Sequence, residues 1–192
     1  EIIRKYNLPK KFALYVGDAT WNKNLPRLIE AVKNVKIPLV MVGKAITDKD
    51  FDRTNPWNQD IIEVQKLIEK DKNILCLGFI PTNDLVMVYN LATVFVMPSL
   101  YEGFGFPILE AMSCGCSVVT SKEGSIPEIA GNAAFYVDAY DVNSISEGVK
   151  KLFAENGLRE ELSKKGLIRA REFTWKKTAE NTMNIYKKIA SV

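Results

Sequence analysis

Glu102 and Glu110 flank the run Gly103-Phe104-Gly105-Phe106-Pro107-Ile108-Leu109, in which glycines give way to the start of a helical pattern. Pro107 suits the first helical position, where its missing N–H would have had no partner. The amides of Phe104, Gly105 and Phe106 are then expected to lie free at a helix N-terminus. Free amides and the helix macrodipole together attract an anion. A carboxylate has no reason to meet a phosphate unless it grips neutral hydroxyls beside it, and ribose and hexose hydroxyls fit that need. The expected chemistry is a cradle for phosphate and sugar. Reading Glu110 as a plain first-turn acid and Glu102 as a plain loop acid leaves their shared motif without a reason.

Other chemistries fit less well. No G-x-G-x-x-G follows the first apolar run and no Walker A sequence is present, which disfavours a nicotinamide enzyme or a P-loop ATPase. A glycosidase would set two carboxylates across a scissile bond. Glu110 instead belongs to a helix that begins at the anion site, where a ribose is the better partner. Asp48-Lys49-Asp50 has the form of a metal-binding D-x-D, but it lies in a polar loop over 48–59 where solvation explains it. No metal site is expected. The chain has no histidine and three cysteines, Cys76, Cys114 and Cys116, in apolar surroundings. An odd count of this kind suits buried thiols in a reducing, cytoplasmic compartment better than a disulfide framework.

The elements that must position these residues follow from hydrophobic patterning. Apolar runs over 12–16, 39–42, 74–77, 93–97, 117–120 and 134–137 are continuous rather than alternating, so they read as strands buried on both faces. Helical periodicity fills 24–35, 60–70, 83–92, 107–113 and 125–129, then 142–155, 158–173 and 175–190. Strands separated by helices imply right-handed crossovers in a parallel sheet. The expected fold is α/β, a doubly wound six-stranded parallel sheet with C-terminal helices. If its order is 3-2-1-4-5-6, the first and fourth strands meet where the winding reverses and leave a crevice at their carboxyl ends. Gly17 ends the first strand and 98–105 follows the fourth, so two loops far apart in sequence would face one ligand, with Gly43-Lys44 at the end of the second strand on the same edge. Lys23 would set a cation opposite a diphosphate, with Asn24 as a helix cap.

With 192 residues, 47% of them hydrophobic, the chain suffices for one sizeable core. It opens on Glu1 and shows no signal peptide or membrane-spanning run, and it reads as a piece of a longer protein. A net charge of +3 gives no reason to expect nucleic acid. The pairs Lys150-Lys151, Lys164-Lys165, Lys176-Lys177 and Lys187-Lys188 read first as solvated helix faces, with peripheral contact to an anionic membrane as the minority reading.

The spacing from Glu102 to Glu110 resembles the E-x7-E signature of retaining glycosyltransferases, glycosyltransferase family 4 in particular. The likeness extends through 10–17, Lys23-Asn24, Leu77-Gly78-Phe79-Ile80-Pro81, Pro98-Ser99-Leu100-Tyr101-Glu102, Ser125-Ile126-Pro127-Glu128 and Phe173-Thr174-Trp175, nearly the whole chain. It implies the nucleotide-sugar-binding C-terminal half of a GT-B enzyme over 1–192, with an acceptor-binding N-terminal half elsewhere. Carried over by position, Glu110 takes the ribose hydroxyls, Glu102 and Lys23 act at the donor sugar and diphosphate, and the Phe104 and Gly105 amides approach phosphate or sugar. The backbone around Ile80 contacts the base, and Gly103, Phe106 and Leu109 complete the donor loop. Ser125 and Glu128 close the pocket wall. The family's arginine near the lysine is missing, since Asp18 follows Gly17 and Asn22 precedes Lys23, which weakens diphosphate neutralisation; Lys44 is the candidate for compensation.

The activity so implied is metal-independent transfer of a hexose, first mannose from GDP-mannose and otherwise a UDP-hexose, to a glycan or lipid-linked acceptor. No cofactor is implied beyond the nucleotide sugar. The isolated piece is expected to bind nucleotide without turnover. A non-catalytic nucleotide-sugar-binding module and a GT-B-like nucleotide-sugar epimerase are the alternatives.

Overall fold

The computed structural model describes residues 1–69 and 71–190. Its centre is a six-stranded parallel sheet in the order β3-β2-β1-β4-β5-β6, formed by β1 (Ala13–Val16), β2 (Leu39–Val42), β3 (Ile74–Gly78), β4 (Val94–Met97), β5 (Val118–Thr120) and β6 (Ala134–Tyr136). This is the order on which the expected crevice is conditioned. Ala13 pairs with Leu39 on one side and with Val94 on the other, so β1 and β4 are neighbours although strands β2 and β3 and four helices lie between them in sequence. Every residue of β2, β4 and β5 is buried, which is why those runs are apolar throughout. The edge strand β3 is mostly half-buried.

The helices are α1 (Ile2–Lys5), α2 (Leu25–Asn34), α3 (Lys44–Thr47), α4 (Gln59–Ile68), α5 (Thr82–Leu91), α6 (Phe106–Ser113), α7 (Ile126–Ala130), α8 (Val142–Ala154), α9 (Asn156–Ala170) and α10 (Trp175–Ala190). The helix expected over 60–70 ends at Ile68, and Lys70 lies outside the described residues. α1 and α3 are single turns too short to carry a periodic signal. One layer gathers α2, α3, α4 and α8; the other gathers α5, α6, α7 and α9. Leu28, Ile29 and Val32 form the buried face of α2, and Ile145, Val149 and Leu152 that of α8 against it. Asp141 caps α8 by accepting the Asn143 amide. α10 buries no residue and leaves Trp175, Met183, Ile185, Tyr186 and Ile189 exposed.

Candidate active site

Three strand ends meet almost without side chains at the carboxyl edge. The Gly17 amide donates to the Val42 carbonyl at 2.9 Å, and the Gly43 amide to the Gly78 carbonyl at 3.0 Å. A Cβ on Gly43 would fall 2.0 Å from the Gly17 carbonyl oxygen, so the backbones themselves are in contact and only glycine fits. Below this floor the buried Tyr15 hydroxyl donates to the Asp18 carbonyl at 2.7 Å. Burial first, then the charges of Glu102 and Asp18, push its phenol well above the ordinary range, so it stays a neutral donor.

The loop after β1 is stitched to the loop after β4 by three consecutive residues. The Asn22 carbonyl accepts the Leu100 amide at 2.7 Å while its Nδ2 donates to the Tyr101 carbonyl at 3.0 Å. Lys23 Nζ lies 2.7 Å from Glu102 Oε1, and Ser99 Oγ donates to the same oxygen at 2.8 Å. Asn24 differs from the sequence expectation. It stands at the N-cap of α2 but makes no side-chain cap bond, because its backbone is left-handed (φ 58°) and its side chain turns inward. Buried to 2% exposure, its Nδ2 donates to the carbonyls of Pro98 (2.9 Å) and Ala139 (2.7 Å), and its Oδ1 accepts from Arg27. Asparagine tolerates this backbone conformation and offers donors on the same side chain.

The glycine loop is close to its expected form, one residue shifted. α6 begins at Phe106 with Gly105 as its left-handed cap, so Pro107 is the second helical residue rather than the first. The amides of Phe104, Gly105 and Phe106 meet no acceptor among the described residues. Behind the loop, Ser125 Oγ bonds the carbonyls of Glu102 (3.0 Å) and Phe104 (3.1 Å), and the Ser125 amide adds a bond to Glu102 at 3.2 Å. A Cβ on Gly124 would sit 2.6 Å from the Glu102 carbonyl oxygen.

The structure thus brings Gly17, Gly43, Lys23 and Glu102 to one edge beside Gly103, Phe104, Gly105 and Phe106. Glu102 is buried, Lys23 largely so, and Gly103 and Phe106 are exposed. Leu109 and Ile80 direct their side chains into the core, which leaves only their backbones for a ligand. Lys44 is the exposed first residue of α3 and enters no ion pair among the described residues. Glu110 is exposed on α6, one oxygen accepting the Tyr89 hydroxyl. Cys116 is buried, with its thiol pushed up to about 12 by burial, and Cys76 is raised to about 11 by the same cause.

Solved structures share this architecture. Sucrose-phosphate synthase from Thermosynechococcus elongatus superposes with a TM-score of 0.81 at 25% identity, covering 99% of this chain and 48% of that one. A glycosyltransferase from Rickettsia africae gives 0.79 over 98% of this chain and 50% of its own, at 18% identity. The fold is that of a GT-B glycosyltransferase domain. The family model described as glycosyl transferases group 1 matches residues 1–169, and the chain belongs to that family. Among relatives, O-antigen chain mannosyltransferase B of Escherichia coli is 35% identical over 97% of this chain and 48% of its own length. Alpha-maltose-1-phosphate synthase of Mycolicibacterium smegmatis is 36% identical over 96% and 50%. The chain spans about half the length of these two relatives. No helix among the described residues is long and apolar enough to cross a membrane.

Proposed function

We propose that this chain is the donor-binding half of a retaining mannosyltransferase of glycosyltransferase family 4, taking GDP-mannose and serving a glycan or lipid-linked acceptor held by a further domain. The observation that carries the reading is the Lys23–Glu102 pair at 2.7 Å, set beside a glycine loop whose amides are uncommitted. The likeness to O-antigen chain mannosyltransferase B supports mannose as the sugar.

Without a donor, Lys23 rests on Glu102. A bound diphosphate offers Lys23 a more highly charged partner, and Glu102 then turns its freed oxygen to the hydroxyls of the sugar. As the bond from the anomeric carbon to the diphosphate oxygen breaks, charge grows on that oxygen. Lys23 and the amides at the start of α6 stabilise it, in the role a divalent cation plays elsewhere. Glu110 holds the ribose. The transfer is therefore metal-independent, and the domain binds nucleotide in the cytoplasm without turning over alone.

Calorimetric titration with GDP, UDP and ADP tests the site, and the same titration of Glu110→Ala tests the residue. Tight GDP binding that is lost in the variant is the expected outcome. Preference for UDP would overturn the mannosyl assignment, and binding of none of the three would overturn the site. A second reading, a nucleotide-sugar-binding module without transfer, rests on Asp18, whose exposed carboxylate stands where a cation would help neutralise the diphosphate. It predicts tight nucleotide binding with no sugar transfer in the full-length protein.

A further inference from the structure

Glu110 does not stand free on α6. Its Oε2 accepts the Tyr89 hydroxyl at 2.9 Å, across the contact between α5 and α6. The two ends of this bond differ in freedom. Tyr89 is 2% exposed, and its ring lies 5.7 Å from that of Phe95, which is fully buried in β4. Its hydroxyl is therefore fixed in place by the core. Glu110 is exposed, and an exposed glutamate samples several rotamers whose loss would count against any ligand that needs one of them.

We infer that Tyr89 is a positioning residue for the nucleotide: its hydroxyl holds Oε2 of Glu110 so that Oε1 is already aimed when the ribose hydroxyls arrive. The inference rests on the proposed role of Glu110 as the ribose ligand. A bond from a neutral donor to a carboxylate is stronger than one between neutral groups, which makes a single phenol sufficient to select a rotamer. Burial and the Glu110 charge both favour the neutral phenol, which keeps the hydroxyl a donor near neutral pH. The competing account is that Glu110 only satisfies a phenol at the edge of the core. The two differ in one respect: only a positioning role ties the effect of the hydroxyl to the hydroxyls of the ribose.

Tyr89→Phe separates them, because it keeps the ring volume and the packing on Phe95 while removing the donor. The dissociation constants of GDP and of 2′,3′-dideoxy-GDP are measured by calorimetry for the wild type, Tyr89→Phe and Glu110→Ala, with the UDP pair used if the wild type prefers it. Tyr89→Phe is expected to bind the ribonucleotide about five- to tenfold more weakly and the dideoxynucleotide as the wild type does. Equal ribonucleotide affinity in variant and wild type would overturn the inference, as would the same loss for both ligands. Failure of the underlying reading shows elsewhere: the wild type would hold the two ligands equally, or Glu110→Ala would change neither. A wild type that takes neither nucleotide removes the site, and this inference with it.

Discussion

The loops at the carboxyl ends of β1 and β4 and the loop that follows α3 are both polar, yet they are held in different ways. In the first, Asn22, Lys23 and Asn24 bond to residues 74 to 115 positions away, joining three loops into one edge. In the second, Asp52 accepts the Thr54 amide and hydroxyl, Asp48 accepts the Asp50 amide, and Gln65 donates to the Asp48 carbonyl from 17 residues away. Local bonds of the second kind form as readily in a short turn by itself, so they shape the chain without fixing it to the domain. Bonds of the first kind exist only once the sheet has assembled. The edge that is to hold a ligand is thus the one whose order depends on the whole fold.

Lys23→Ala should break this contrast most. It leaves the Glu102 carboxylate buried with Ser99 as its one side-chain donor among the described residues, and removes the cation proposed for the leaving diphosphate. Sugar transfer by the full-length protein should fall about 100- to 1,000-fold in kcat/KM; a loss under threefold would remove Lys23 from the chemistry. Asn24→Ala comes next, since it deletes two buried bonds and leaves alanine with a left-handed backbone, for about 2–4 kcal/mol by denaturant unfolding. Asn24→Gly relieves the backbone cost and should recover about 1 kcal/mol of that; no recovery would mean that the loop relaxes out of the left-handed region. Gly43→Ala forces the β1 and β2 ends apart and should cost about 1–3 kcal/mol, with nucleotide affinity falling in parallel.

Alkali probes the core more gently. Tyr15, Tyr89 and Cys116 have raised pKa values in the fold, so above about pH 9 the unfolded chain sheds protons that the folded chain keeps. Stability is therefore full below that pH and declines as pH rises toward 12, which thermal melts between pH 8 and pH 11 would show as a falling Tm. Asp52→Ala should have the smallest effect, within about 0.5 kcal/mol, because it removes only local bonds. A larger loss would mean that the polar loop is tied to the domain after all.

What could be read in advance follows the same division. The strand order enters the sequence reading only as a condition and is supplied by the structure, whereas continuous apolar runs mark the six strands because a short window contains that pattern. The glycine loop between Glu102 and Glu110 was legible for the same reason, to within one residue at the start of α6. Asn24 reads as a helix cap because an asparagine ahead of a helical pattern usually is one; its carbonyl partners at Pro98 and Ala139 lie far outside any local window. The bond from Tyr89 to Glu110 and the grip of Ser125 on the glycine loop are equally non-local. The family resemblance sets Ser125 at the pocket wall and the closeness of β4 to its neighbours brings the elements together, but neither gives the pairs.

The bonds from Ser125 to the Glu102 and Phe104 carbonyls have one more result. In a trans peptide the carbonyl and the following N–H point in opposite directions. Holding those two carbonyls against α7 therefore turns the N–H groups of Gly103 and Gly105 to the opposite side of the loop. The hydroxyl of Ser125 works like a hand on the back of a page, and sets which way the printed side faces.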